Sequence, residues 1–327
     1  MKKILIDNRW NGTGGIGTFA HEVNKINAYD DAGFSGAPYS PLDFIKTSMK
    51  LLEKKGRVLF FPGYIPPIFS QDDFVFTIHD LNHLDRKENA SLFKKLFYHL
   101  VILRGCKKAK YIFTVSDFSK NRIAEWSGID INKIINVGNG VSKEFNPYGE
   151  VLNYGFEYIL CVSNRKAHKN ELRTLLAFKN ANLPLEIKLL FTGKSTEEIN
   201  KYIKDLNLTD RVYFSGYLKQ EELPKLYRGA KALIFVSLYE GFGLPVVEAM
   251  ASGIPVITST TTSLPEVAGE AALLVDPTNT RAISDAIEEI YYNEKMRASL
   301  IESGLNQAKK YSWDITAQKI SEILSKI

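Results

Sequence analysis

The chain predicts an α/β protein made of two doubly wound domains, each a parallel sheet with helices on both faces, facing each other across a cleft. Three observations carry this. Short β-branched and aromatic runs alternate with helical segments along the whole chain, from residues 3–7 to 272–275. A length of 327 residues exceeds what one core usually serves. The turn-rich stretch Asn146-Pro147-Tyr148-Gly149 separates two such series. The expected domains are therefore 1–149 and 150–310, with 311–327 as a terminal helix; the halves repeat as architecture and share no sequence repeat.

Composition narrows the class. Hydrophobic content of 45% and charged content of 24% are ordinary for a soluble protein. No run of eighteen apolar residues is present, and MKKILID lacks a signal-peptide core, so a cytoplasmic location is expected. Cys106 and Cys161 lie in apolar surroundings and read as reduced core thiols. Without Asp-x-Asp or a zinc-like spacing among the five histidines, no metal is expected. The net charge of +5 sits wholly in residues 1–150, where 21 Lys and Arg face 16 Asp and Glu; residues 151–327 balance at 21 each. No nucleic-acid partner is called for.

In the first half, residues 3–7 form a strand, and Asn11-Gly12-Thr13-Gly14-Gly15-Ile16-Gly17 leads into a helix through Phe19, Val23 and Ile26. Glycine amides at a helix start suit an anion. Gly12-x-Gly14-x-x-Gly17 also matches the dinucleotide fingerprint, which keeps an NAD-dependent oxidoreductase open as an alternative, although NRWN separates the glycines from their strand. Residues 28–56 read as loops with a helix near 42–52. Residues 58–61 and 74–78 are buried strands, and the second ends at His79-Asp80, where a strand's carboxyl end places side chains toward a ligand. Asp80 reads as a turn or capping residue.

Residues 86–110 are helix-compatible and carry Arg86, Lys87, Lys94, Lys95, Arg104, Lys107, Lys108 and Lys110 against the single Glu88. Leu92, Phe93, Leu96, Phe97, Leu100, Val101 and Leu103 are interleaved. Two readings stay open: a core helix with a solvated basic face, or an interfacial patch for anionic lipid. Residues 111–115 are a strand, Ser116-Asp117-Phe118-Ser119 opens a helix, and 134–137 close the series.

In the second half, residues 158–162 start a new series, and the loop Ser163-Asn164-Arg165-Lys166-Ala167-His168-Lys169-Asn170 offers cations at a strand's carboxyl end, suited to a pyrophosphate. Residues 187–193 and 212–218 supply two more strands with their turns. Gly193-Lys194-Ser195 is no phosphate loop, because the glycine needed five residues earlier is Lys188. Residues 221–228 are a short helix, 256–258 and 272–275 are strands, and 281–292 and 295–309 are amphipathic helices.

The densest stretch is residues 231–255, KALIFVSLYEGFGLPVVEAMASGIP. Residues 232–237 form a buried strand, Glu240 stands at its carboxyl end, and Gly241 and Gly243 let backbone amides approach a ligand. Pro245 opens a helix that Ser252-Gly253 stops, and Glu248 lies on it about two turns in.

Glu-x7-Glu framing GFGLP, followed by EAMASGIPVI and SLPEVAGEAALLVDP, closely resembles the nucleotide-sugar site of the retaining glycosyltransferases of family 4 (group 1), which have the GT-B fold of two Rossmann-like domains. The resemblance spans nearly the whole chain and is most specific over residues 231–276. It implies that Glu240 and the amides of Phe242, Gly243 and Leu244 hold the donor sugar, that Glu248 holds the ribose, and that the turn near Leu218 meets the base. It places Gly15 and Gly17 of the GGIG turn and His79 near the donor phosphates and reacting centre. Lys169 matches the phosphate-binding lysine, while Asn164 replaces the arginine that many members carry, leaving Arg165 beside it as the other cation. The implied catalytic pair is Glu240 and His79, with no covalent nucleophile and no cofactor. The SLPEVAGEAALLVDP segment is similar to bacterial mannosyl- and rhamnosyltransferases of surface-polysaccharide assembly. That implies a GDP-mannose donor, with UDP- or dTDP-sugars as alternatives, and a lipid-linked saccharide acceptor at the inner membrane face. The terminal helix is expected to cross back to the first domain. A non-catalytic sugar-nucleotide-binding protein remains the further alternative.

Overall fold

A computed structural model describes residues 2–12, 14–40, 42–53, 55–86, 88 and 91–327. Met1, Thr13 of the glycine turn, Pro41 and Lys54 of the 28–56 stretch, and Lys87, Asn89 and Ala90 of the basic segment lie outside the described residues. The chain forms two units, residues 1–140 with 312–327, and residues 141–311.

The first unit is a six-stranded parallel sheet of β1 (Lys3–Ile6), β2 (Asp30–Asp31), β3 (Arg57–Phe61), β4 (Asp73–Thr77), β5 (Tyr111–Thr114) and β6 (Ile134–Asn136), in the order β2-β1-β3-β4-β5-β6. Val58 to Phe61 and Phe74 to Thr77 are buried at every position, which is why they read as continuous apolar runs. The helices are α1 (Gly14–Asn27), α2 (Asp43–Lys50), α3 (Asn82–Asp85), α4 (Leu92–Phe97), α5 (Leu103–Lys108) and α6 (Asp117–Ser127). A π-helical turn, Tyr98–Ile102, joins α4 to α5. The terminal helix, Trp313–Leu324, packs on α1: Phe19 meets Trp313 edge-on at 6.3 Å, and Asn27 Nδ2 donates to the Ala317 carbonyl at 2.9 Å.

The basic segment is divided into α4, the π turn and α5; Leu92, Phe93, Leu96 and Leu100 are exposed, while Tyr98, Val101, Ile102 and Cys106 are buried.

The second unit holds β7 (Tyr158–Cys161), β8 (Lys188–Phe191), β9 (Val212–Phe214), β10 (Ala232–Phe235), β11 (Val256–Ser259) and β12 (Leu273–Val275), all parallel, in the order β12-β11-β10-β7-β8-β9. Its helices are α7 (Glu171–Asn180), α8 (Glu197–Asp205), α9 (Leu223–Gly229), α10 (Leu244–Ala251), α11 (Leu264–Ala268), α12 (Thr280–Tyr292) and α13 (Glu294–Ala308). Strand order reverses between β7 and β10, which makes the carboxyl ends of those two strands the ligand position of this sheet.

The unit boundary falls after Gly140, ahead of the expected residue 149, because side chains bind the intervening segment to the second unit. Arg228 donates to the carbonyls of Glu144, Asn146 and Glu150, and Phe145 packs edge-on against Tyr227 at 5.5 Å. Asn146-Pro147-Tyr148-Gly149 is a turn inside that unit.

Candidate active site

The loops after β7 and β10 bring together the residues that the second half singled out. Lys169 Nζ donates to Glu240 Oε1 at 2.7 Å, and both side chains are largely buried. The ammonium also lies 4.7 Å from the centre of the Phe235 ring, on β10 itself. Asn170 fixes the loop that carries Lys169: its Nδ2 donates to the carbonyls of Val236 (3.0 Å) and Pro277 (2.7 Å). A cation and a carboxylate from two loops thus converge at the point where strand order reverses.

The Glu240 loop is braced from the turn before α11. Thr262 Oγ1 accepts from the Glu240 amide at 3.2 Å, and Ser263 Oγ, fully buried, lies 3.0 Å from the carbonyls of both Glu240 and Phe242. Phe242 is buried with its ring edge-on to Tyr311 at 5.4 Å. Gly243 caps α10 at φ +104°, a conformation that side chains rarely adopt, and a Cβ there would lie 2.6 Å from Leu264 Cδ2. The amides of Gly243 and Leu244 therefore open the helix that carries Glu248.

Glu248 is half-buried on α10, and its Oε2 accepts from the Tyr227 hydroxyl at 2.6 Å. Burial lifts its carboxyl to about 7, although Tyr227 and Lys169 both pull it down. The Tyr227 phenol is in turn pushed well above its ordinary value, by burial and then by Glu248. Leu218 lies half-buried in the turn after β9, beyond the bridge that pairs Gly193 with Gly216.

Arg165 is held by α7 and by the strand and turn of β8 and β9. Its nitrogens engage Glu171, the Thr192 carbonyl and, at 2.9 Å, the Lys194 carbonyl, and its guanidinium lies 5.2 and 5.1 Å from the rings of Phe191 and Phe214. With Asn164 exposed and uncharged, Lys169 is the cation that this loop directs at Glu240.

In the first unit, β1 ends at Ile6 and a tight turn, Asn8–Trp10, precedes the glycines. Gly14, Gly15 and Gly17 form the first turn of α1, and a Cβ on Gly17 would lie 2.6 Å from the Trp10 carbonyl, so close backbone approach requires this glycine. His79 stands just beyond β4. A carbonyl only accepts, so its Nε2 donates to Pro62 at 2.9 Å and its Nδ1 is the bare, accepting nitrogen. Burial lowers this imidazole to about 4 against the pull of the Pro62 carbonyl, which keeps it neutral at physiological pH. Phe19 packs edge-on to the ring at 5.1 Å, and Ser119 Oγ donates to the His79 carbonyl at 3.0 Å.

Both cysteines are buried, and burial pushes their thiols up, that of Cys106 to about 12. Among the described residues no three His, Cys, Asp or Glu side chains converge as metal ligands, and no helix is long and apolar enough to cross a membrane. Tyr227 and Thr262 lie outside the residues that the motifs mark, and Ser263 is the first residue of SLPEVAGEAALLVDP, with no role read for it from the sequence.

Two doubly wound units, one with a cation–carboxylate pair at its switch point and a second carboxylate along the next helix, have the architecture of the GT-B fold. The chain belongs to the glycosyl transferases group 1 family, whose model matches residues 142–307, and it is a glycosyltransferase. It is 30% identical to O-antigen chain mannosyltransferase B of Escherichia coli over 76% of this chain and 69% of that protein. In fold it is similar to sucrose-phosphate synthase from Thermosynechococcus elongatus, with a TM-score of 0.80, 19% identity and coverage of 100% and 99% of the two chains. It is likewise similar to Anabaena HepE in complex with UDP and glucose, with a TM-score of 0.80, 16% identity and full coverage of both chains.

Proposed function

We propose that this chain transfers a hexose of mannose or rhamnose type, with retention, from a nucleotide sugar to a saccharide acceptor in surface-polysaccharide synthesis. GDP-mannose is the favoured donor, and UDP- or dTDP-sugars are the alternatives. The observation that carries the reading is the 2.7 Å pair of Lys169 and Glu240 at the β7/β10 switch point, with Glu248 on the helix that follows. The name of the Escherichia coli relative supports mannose.

When the bond from the anomeric carbon to the phosphate oxygen breaks, negative charge grows on the departing diphosphate and positive charge on the sugar. Lys169 and the amides at the start of α10 meet the first. Glu240 accepts hydrogen bonds from sugar hydroxyls, and its charge favours the second. His79, neutral with a bare Nδ1, accepts from a hydroxyl and is no acid at neutral pH. A thermal-shift panel of GDP-mannose, UDP-glucose and dTDP-rhamnose tests the reading: GDP-mannose is expected to stabilise the chain most. No shift with any of the three would sink it.

The acceptor side rests on a second observation. Leu92, Phe93, Leu96 and Leu100 are 86%, 65%, 57% and 58% exposed. Residues 91–110 contain six Lys and Arg and no carboxylate. Phe44 of α2 meets Phe97 of α4 at 5.7 Å, and Ile45 and Met49 of the same helix are also exposed. This reading makes the face, within residues 86–110 and α2, a peripheral contact with anionic lipid at the inner membrane surface, where a lipid-linked acceptor is presented. Co-sedimentation is expected with vesicles of equimolar phosphatidylglycerol and phosphatidylcholine and not with phosphatidylcholine alone. Binding that ignores charge reversal at Lys94, Lys95, Lys107 and Lys108 would rule the contact out.

A further inference from the structure

Tyr227 lies on α9, outside every motif of the chain, yet it reaches the proposed site from beneath. Its side chain is fully buried, with Phe145 against its ring, and its hydroxyl donates to Glu248 Oε2 at 2.6 Å. A phenol has two side-chain torsions, both locked here by packing, so the hydrogen bond fixes the plane of the carboxylate at little further entropic cost. Oε2 is taken from the protein side, and Oε1 is the oxygen left for a ligand hydroxyl.

We propose that Tyr227 is the positioning residue that presents Glu248 to the donor ribose, setting donor affinity without touching the donor. The inference rests on the nucleotide-sugar reading above. The titratable groups facing Glu248 are Tyr227 from α9 and Lys169 from the loop after β7, and both favour its ionised form against burial. A ribose diol donates to a carboxylate better than to a neutral acid, so donor affinity is expected to fall as pH drops through the Glu248 titration. Removing the Tyr227 hydroxyl makes the carboxylate harder to ionise and moves that fall to higher pH.

The test uses Y227F, which deletes one oxygen from a residue held by its ring, with the nucleotide sugar that most stabilises the unaltered chain. Loss of a hydrogen bond to a charged group is expected to weaken donor binding about tenfold, to leave kcat at saturating donor within about twofold, and to shift the acid limb of kcat/KM to higher pH. E248Q is expected to flatten that limb, and adding Y227F to E248Q is expected to cost less than about twofold more. Unchanged donor binding in Y227F overturns the inference, as does the same tenfold loss in both backgrounds, because a purely structural tyrosine would act regardless of Glu248. If no sugar binds the unaltered chain, the donor reading falls instead. The carboxyl titration of Glu248, followed by carbon NMR in the free protein, then decides whether Tyr227 holds that carboxylate: a midpoint that Y227F does not raise overturns the inference.

Discussion

The two sheets place their conspicuous residues at equivalent positions, beyond the strand ends near the reversal of strand order, but they equip those positions with different chemistry. In the second unit the charges gather at the carboxyl ends of β7 and β10: Lys169, Glu240 and Glu248 come from two loops and the next helix. In the first unit the charge at the end of β1 is sealed into the structure. Arg9 is clamped between Asp7 at 2.8 Å and Asp43 at 2.6 Å, and although burial pulls its pKa down, the two carboxylates hold it above its ordinary value. Beside it stand the glycine backbone of the first turn of α1 and the neutral imidazole of His79. On the proposed reading the contrast is a division of labour: the charges of the second unit suit a diphosphate and a diol, and the neutral imidazole of the first suits an uncharged hydroxyl group.

The sharpest way to break the comparison is to remove the charges of the second unit. Glu240→Ala and Lys169→Ala are each expected to lower transfer by about a thousandfold, the scale of losing a charged group that stabilises a transition state, while circular dichroism stays unchanged. Turnover within a few-fold of the unaltered chain would place the chemistry elsewhere. In the first unit the comparable lesion is steric. Gly17→Ala forces a Cβ against the Trp10 carbonyl, and about 2 kcal/mol of destabilisation is expected from such overpacking, measured by denaturant unfolding.

Much of this was legible because parallel strands buried on both faces leave continuous apolar runs: 58–61, 74–77 and 232–235 are read directly from the residues. Glu240 and Lys169 were legible one at a time, as residues at strand ends. Their contact was not, because it joins positions 71 apart and depends on β10 lying beside β7. Arg165 was legible as a cation at a strand end, but its partners were not, because Glu171, Phe191 and Phe214 reach it only through the fold. Tyr227 left no signal, since a tyrosine before a strand usually packs. Residues 92–100 left two readings open, because interleaved leucines suit a core or an apolar surface face equally, and only the fold shows that Leu92, Phe93, Leu96 and Leu100 are exposed while Tyr98 is buried.

Glu248 sharpens the contrast through stability. Its folded-state carboxyl titrates near 7, above the ordinary 4.5, so between those values the folded chain keeps a proton that the unfolded chain releases. Its contribution to stability is therefore greatest in acid, declines as pH rises through this window, and is a net cost above 7. Glu248→Gln removes that cost and is expected to raise the melting temperature by a few degrees at pH 8, on the order of 1–2 kcal/mol, with little gain near pH 4. Equal gains at both pH values would show that packing, rather than a charge kept for the ligand, sets the effect.

The smallest expected effect separates scaffold from ligand contact within the glycine turn. Among the described residues no atom lies within 4 Å of the position a Cβ on Gly15 would take, and its φ is not in the left-handed region, so nothing described there demands glycine. Alanine in a helix is favoured over glycine, so Gly15→Ala is expected to leave stability equal or raise it by up to about 1 kcal/mol. A loss of transfer at unchanged stability in that variant would then point to the bound substrate, because the new methyl group meets no described atom of the protein. Gly17→Ala lowers both stability and transfer, while Gly15→Ala lowers transfer alone. A Gly15→Ala chain that is as active as the unaltered one would mean that this turn serves the helix start and does not approach the substrate.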